Sequence, residues 1–435
     1  MGPEWVAIIA LAALFVVGTV LPINMGALAY VAAWLVGMYS LNLDEKEILA
    51  GVSADLVLTL IGVTYLFAIA KNNGTVDLIV TTAVRAVGGR VGLIPWVMFA
   101  VTGVLTSIGA VSPAACAIIG PIALGFAGKY SISPLMMGMM VVHGAQAGGF
   151  SPISVYGIIT NSVMKDEGLD VSEMTVFLSS LVINLVLAAI LFVVLGGRKL
   201  LAERIEPDEV VDSEGDGAGG GSGGGDSDVK TKTRKSGMRT EQLLTLVAFL
   251  GVAVVSLLLD KNIGFVAITA AVILAILSGK EHKSAVNQIA WPTVLLVAGV
   301  STYATILTEA GSPEFVGGWA AGLGAAILGA LILCYVGGVV SAFASSTALL
   351  PVIIPIAIPL IAEGGISAGL FVAALVVSST IVDVSPFSTN GALMLANRPD
   401  TIEEPKYYRQ ILTYSVIVVA VGPALVWAAL VLPGA

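Results

Sequence analysis

Apolar positions along this chain come in long runs rather than in stripes. Uninterrupted runs occupy residues near 5–20, 24–41, 54–71 and 174–196, and again near 241–259, 263–278, 291–309 and 410–432. Each approaches or exceeds the ~20 residues needed to span a hydrocarbon layer. Backbone in lipid must satisfy its own hydrogen bonds, so such runs predict helices. The alternating pattern of a β-barrel is absent. Between the runs lie two amphipathic stretches, 75–90 and 313–322. Two further apolar segments, 92–127 and 325–361, are interrupted by Gly, Ser and Pro. Two long segments, 133–164 and 367–396, are broken by GGFSPISVYG (Gly148 to Gly157) and DVSPFSTNG (Asp383 to Gly391). The first run lacks a basic flank and an A-x-A-like end, so it reads as a span and not as a cleaved signal.

The order of segments after residue 240 repeats the order before residue 198. Residues 103–157, shifted by 234 positions without a gap, are identical at 16 of 55 places. The matches include Ser107/Ser341, Ser112/Ser346, Pro121/Pro355, Ser151/Ser385, Ser154/Ser388 and Gly157/Gly391. Hydrophobic bias alone would have matched Val, Leu and Ala, so the polar matches mark an internal repeat. The expected domains are repeat 1 over 1–197, a linker over 198–240 and repeat 2 over 241–435.

Composition fixes the solvent. Hydrophobic residues make up 57% of the chain and charged residues 11%, against roughly a quarter charged in soluble domains. The net charge of −9 says little, because nine of the 29 acids lie between Glu203 and Asp228, beside GDGAGGGSGGGD. That composition is a flexible, solvated linker. No basic arm points to nucleic acid. Cys116 and Cys334 both fall in apolar segments and read as small buried hydrophobes.

Basic residues give an orientation. If each interrupted segment 92–127 and 325–361 dips into the membrane and returns, each half crosses five times and the two halves are inverted. One face then holds 17 of the Lys and Arg residues and the other only Lys46, Lys165 and Lys261. The positive-inside rule makes the richer face cytoplasmic, with the linker inside and both termini outside the inner membrane.

Four elements carry candidate chemistry: the turns AVSPAA (Ala110 to Ala115) and ASSTAL (Ala344 to Leu349), and the two breaks. Unwound backbone at membrane depth is tolerated only where it lines a protein cavity. Helix N-termini there offer N–H groups to an anion, and freed carbonyls and hydroxyls offer oxygens to a small cation. The competing reading is a set of kinks and small-residue helix contacts. Asp383 abuts the second break, where an acid costs ~2.5–3.5 kcal/mol on insertion scales. It is a coupling-cation ligand, a proton carrier or a helix cap. His143, one turn from Gln146, is a candidate proton carrier or a packing histidine. Asp55 and Glu309 read as interfacial. No Lys or Arg is expected near the midplane, so an anionic substrate must be held by dipoles, hydroxyls and co-bound cations.

This pattern resembles the ion transporter superfamily and, within it, the divalent-anion/sodium symporters. It is most similar to dicarboxylate carriers of the malonate-carrier (MatC) type, notably through LPINMGALAYVAAWLVGM and GGFSPISVYG. The resemblance implies a Ser-Asn-Thr motif at each turn; here Ser112, Ser346 and Thr347 match and the asparagines are absent. It also implies a homodimer with mobile hairpin-bearing transport domains. The combined expectation is an all-α polytopic membrane protein of two inverted repeats, not an enzyme and without cofactors. It would import a C3 or C4 dicarboxylate with Na+ or H+. Substrate would touch Ser112, Ala114, Ser151, Ser154, Ser346, Thr347, Ser385, Ser388, Thr389 and Asn390. The coupling ion would involve Ser107, Ser112, Gly149, Ser345, Thr347 and Asp383. The rivals are a cation antiporter using Asp383 and His143, and an intramembrane hydrolase using a membrane serine and His143, against which stand the repeat-related pairs of serines.

Overall fold

The computed structural model describes residues 2–21, 23–86, 88, 90–201, 239–259, 261–278, 284–321, 326–342, 345–362, 365–399 and 401–434. Most of the expected linker, Lys280, Lys283 and Ala344 of the second turn lie outside the described residues. The described residues form helices and no strands.

The first half contains α1 (Pro3–Val20), α2 (Met25–Ser40), α3 (Glu45–Ala50), α4 (Ala54–Asn72), α5 (Thr75–Ala86), α6 (Ile94–Ser107), α7 (Ser112–Lys129), α8 (Pro134–Gly148), α9 (Val155–Asp166), α10 (Glu173–Val194) and the single turn α11 (Gly197–Leu200). The second half contains α12 (Thr240–Leu258), α13 (Ile263–Ser278), α14 (Trp291–Glu309), α15 (Ser312–Ala321), α16 (Ala326–Ser341), α17 (Ser346–Ala362), α18 (Ala368–Ile381), α19 (Thr389–Ala396) and α20 (Glu404–Leu430). The apolar runs thus become helices within a few residues of the expected ends, save that α20 begins earlier, at Glu404. The short α3 was not foreseen, because it carries no apolar run. Its start is fixed by a capping box, in which Asp44 accepts from Glu47 N–H and Glu47 accepts from Asp44 N–H.

Among the described residues five helices are by themselves long and apolar enough to cross a membrane: α4, α7, α10, α14 and α20. Eight shorter apolar helices accompany them. Many of their large side chains face outward and are exposed, such as Val31, Leu178, Leu250, Phe265, Ile276 and Val416. An apolar exterior of this kind suits lipid and not water. The chain is a multi-pass membrane protein.

Two crossings depend on glycine. α2 meets α14 where a Cβ on Gly26 would lie 2.1 Å from Leu295 O and one on Gly299 would lie 2.0 Å from Gly26 O. α4 meets α13 where a Cβ on Gly62 would lie 2.6 Å from Gly264 O. Gly26 and Gly264 are each the second residue of their helix, and Gly62 and Gly299 each the ninth. The same contact is therefore made twice, with the two halves exchanging roles. Small residues allow such approach without a hydrophobic driving force between helices in lipid.

Both breaks have one construction. Between α8 and α9, Ser151 N–H donates to Gly148 O, and Ser154 N–H and Oγ both donate to Ser151 O. Between α18 and α19, Ser385 N–H donates to Val382 O, and Ser388 N–H and Oγ both donate to Ser385 O. Ser154 and Ser388 are the N-caps of the helices that follow. Gly157 and Gly391 admit the turn: a Cβ would lie 2.0 Å from Ser151 O and 1.9 Å from Ser385 O.

The helices α6 and α7 join at a turn holding Gly109, whose φ of 111° excludes an ordinary L side chain. A Cβ there would strike Val63 Cγ1 at 2.2 Å. Val63 is the tenth of the 19 residues of α4, so the turn sits at half the height of a spanning helix.

Candidate functional site

The turn before α17, the turn before α7 and both breaks meet around one cavity of about 390 Å³. Its wall includes Val111 and Pro113 from the first turn, Ser345, Ser346 and Thr347 from the second, and Asp383, Phe387 and Thr389 from the second break. Tyr156 of α9, Ile23, Asn24, Met25, Pro292, Thr293 and Leu296 also belong to that wall. The volume lies in the range of small-ligand sites. Among the described residues no Lys or Arg lines it.

The turns begin helices. Val111 is the N-cap of α7, with Ser112 and Pro113 as its first residues. Pro at that place loses no needed N–H and fixes a helical φ. α17 begins at Ser346. Both helices direct N-terminal N–H groups and their positive dipole ends to the cavity, a setting that favours anions.

Around the turns the side chains are linked. Asn390 Nδ2 donates to Ser112 Oγ and to Asp383 Oδ2, both at 2.8 Å. This joins the first turn to the second break. The Asn390 Oδ1 is buried and has no partner. Ser341 and Ser346 hydroxyls share a 2.9 Å hydrogen bond, and those of Ser345 and Thr347 one of 2.6 Å. Ser388 and Asn390 flank the Asp383 carboxylate at the start of α19. Ser388 and not Asp383 occupies the N-cap position, so the acid is an accessory to that helix start.

Of the expected substrate residues, Ser346, Thr347 and Thr389 line the cavity, while Ser112 and Asn390 are buried outside its wall, bonded to each other and through Asn390 to Asp383. Four others use their hydroxyls on the chain itself. Ser151 Oγ donates to Ser107 O at 2.9 Å, tying the first break to the first turn. Ser154 Oγ caps α9 by accepting from Gly157 N–H at 3.3 Å, Ser388 Oγ donates to Ser385 O at 2.7 Å, and Ser385 Oγ accepts from Phe387 N–H at 3.2 Å. Ala114 is exposed and outside the cavity wall. Of the expected ion residues, Ser345, Thr347 and Asp383 line the cavity. Ser107 Oγ donates to Val104 O, and Gly149 caps α8 at its C-terminus.

His143 is not brought to the cavity. Its Nδ1 is 2.8 Å from Asn184 Oδ1 and its Nε2 2.7 Å from Tyr414 OH. Both ring nitrogens are matched between α10 and α20, as for a packing histidine. Sequence reasoning missed Tyr156, which lines the cavity alongside residues of both turns. Its one available signal was an aromatic residue with a hydroxyl immediately after a break.

A second cavity, of about 230 Å³, lies farther along the same three helices. α9 lines the first at Tyr156 and the second at Val163 and Asp166; α14 at Leu296 and then Ser301 to Glu309; α17 at Ser346 and then Pro351 and Pro355. Between the two lie the buried side chains of Ile159, Thr160, Val297, Val300 and Leu350, at 0–1% exposure. Glu167 and Glu309 also line the outer cavity. Burial, with Asp166 and Glu314 nearby, holds the Glu167 carboxyl above the usual carboxylate range.

The comparisons agree with this geometry. Residues 1–149 match the family model for the N-terminus of the dicarboxylate carrier protein MatC, and residues 261–433 match that for the citrate transporter. No curated protein matches the chain by sequence. The YdaH transporter of Alcanivorax borkumensis has a similar fold, with a TM-score of 0.57 at 13% identity over 90% of this chain and 88% of that one. With one carrier model over its first third, another over most of its second half and a transporter's fold over nearly all its length, the chain is a multi-pass membrane transporter, not an enzyme, and it resembles the MatC-type dicarboxylate carriers and citrate transporters.

Proposed function

We propose that this protein is a secondary active importer of a C3 or C4 dicarboxylate, coupled to Na+ or H+. The observation that carries the reading is the cavity between the two turns. Two helix starts and a set of hydroxyls face it, and among the described residues a single carboxylate and no fixed positive charge line it. Helix dipoles and hydroxyls hold each carboxylate group of the substrate. Asp383, with the unpartnered Asn390 Oδ1 beside it, offers oxygens to a cation that offsets the dianion's charge.

The turn at the height of Val63 supports re-entrant hairpins made by α6–α7 and α16–α17. The exchanged glycine crossings and the matched breaks support two repeats, and the 17-to-3 division of basic residues supports their inversion. Two cavities on one set of helices, divided by buried side chains, support alternating access, with the central cavity open toward the cytoplasm. We place the protein in the inner membrane with both termini outside, as a homodimer.

Uptake into proteoliposomes tests the proposal. Malonate, succinate, malate, tartrate and citrate are offered with and without sodium or proton gradients. A C3 or C4 dicarboxylate should accumulate against its gradient only when a cation gradient is present. The antiporter reading draws on Asp383 facing the cavity; it would be favoured if a sodium gradient moved protons with no carboxylate present.

A further inference from the structure

The two halves differ at two matched positions of the breaks. Gly149 stands where the second half has Asp383, and Tyr156 where it has Asn390. In the second half the acid and the amide are hydrogen-bonded at 2.8 Å. In the first half an aromatic ring fills the corresponding space. A Cβ on Gly149 would lie 2.9 Å from Tyr156 Cδ2, so the missing side chain is what admits the ring. Phe150 packs on that ring at 5.5 Å, fixing its plane. The ring thereby reaches the cavity and lines it together with Val111 and Pro113 of one turn and Ser345, Ser346 and Thr347 of the other.

The chemical characters are complementary. A carboxylate only accepts, and so suits a cation. A phenol donates, and so suits a carboxylate. With no Lys or Arg in the wall among the described residues, a phenol donor on a ring beside both turns is the strongest side-chain partner a dianion meets there. The ring also narrows the space between the turns and so limits the length of the bound molecule.

We propose that Tyr156 is the specificity-determining residue of this site, donating from its hydroxyl to one carboxylate of the substrate and setting the substrate's length with its ring. The inference rests on the dicarboxylate reading above and deepens it. It also divides the labour between the breaks: the first serves the anion, the second the cation.

Equilibrium binding to the purified full-length protein in nanodiscs tests it, with malonate, succinate and citrate as probes at fixed sodium. Tyr156→Phe should weaken the preferred dicarboxylate roughly 10- to 150-fold, the range for one hydrogen bond to a charged group, with its sodium dependence and melting temperature unchanged. Tyr156→Ala should shift the preference from succinate toward citrate. Affinity of Tyr156→Phe within twofold of wild type would overturn the inference while leaving the dicarboxylate reading in place. Wild-type protein that binds none of the probes would sink both. A 3-fluorotyrosine at position 156 gives a readout that needs no truncated side chain. Its fluorine resonance should move on addition of the preferred dicarboxylate, and a resonance unmoved at saturation would count against the proposal.

Discussion

At the scale of single residues, Asp383 concentrates the chemistry of the second break. Its carboxylate is buried, lines the cavity and is held by Asn390, which also grips Ser112. Asp383→Asn keeps the shape and leaves the N-cap position of α19, held by Ser388, untouched. It removes the charge alone. We predict that this variant loses the cation or pH dependence of uptake while keeping its order of preferred substrates. Cation and pH titrations of uptake in both proteins decide the matter. Intact coupling in the variant would leave the carboxylate with only a structural part at the start of α19. Asp383 and Ser346 were legible in the sequence, because a lone acid and paired serines are conspicuous in so apolar a chain. Tyr156 was not, because one aromatic residue in an apolar segment looks like packing. Its meaning comes from the turns that folding brings to it, 44 residues before it and 190 after it in the case of Ser112 and Ser346. The satisfaction of His143 was equally hidden, since Tyr414 lies 271 residues away.

Among the elements, the helices were the most legible part. Apolar runs leave the backbone no alternative in lipid, and Gly, Ser and Pro at matched positions marked both breaks before any coordinates. What the pattern did not reveal was which helices cross. Glycines in an apolar run are ambiguous until the partner is known. The crossings α2–α14 and α4–α13 give them a purpose that can be measured. Gly299→Ala and Gly62→Ala would drive a methyl into facing backbone at 2.0 and 2.6 Å. Backbone cannot rotate aside, so each substitution should cost about 1–3 kcal/mol or more, as overpacked interiors do. Gly251→Ala in α12 is the control, because nothing lies within 4 Å of its Cβ position. It should be neutral or slightly stabilising, as expected of Ala in a helix. Thermal unfolding in detergent would read all three. Equal melting temperatures for Gly299→Ala and Gly251→Ala would show that the crossing yields easily.

For the whole molecule, orientation follows from charge and is open to direct test. Asp170, between α9 and α10, and Thr401, between α19 and α20, are both exposed and fall on opposite faces of the proposed arrangement. The native Cys116 and Cys334 are buried and should give little background. We predict that Asp170→Cys reacts with a membrane-impermeant maleimide in intact cells and that Thr401→Cys reacts only after lysis. The reverse result would invert the molecule in the membrane and turn the central cavity outward.

The exchanged glycine crossings have a consequence for how the protein is made. Gly26 and Gly62 belong to helices that leave the ribosome early, whereas Leu295, Gly299 and Gly264 are synthesised only after the long linker. No part of either crossing can form while the first half is alone. During synthesis α2 and α4 therefore wait in the bilayer with open notches filled by acyl chains, and assembly ends with the late helices displacing lipid from both. The second half must insert and turn toward its partners after the first, which is a reason for so many residues between the two halves.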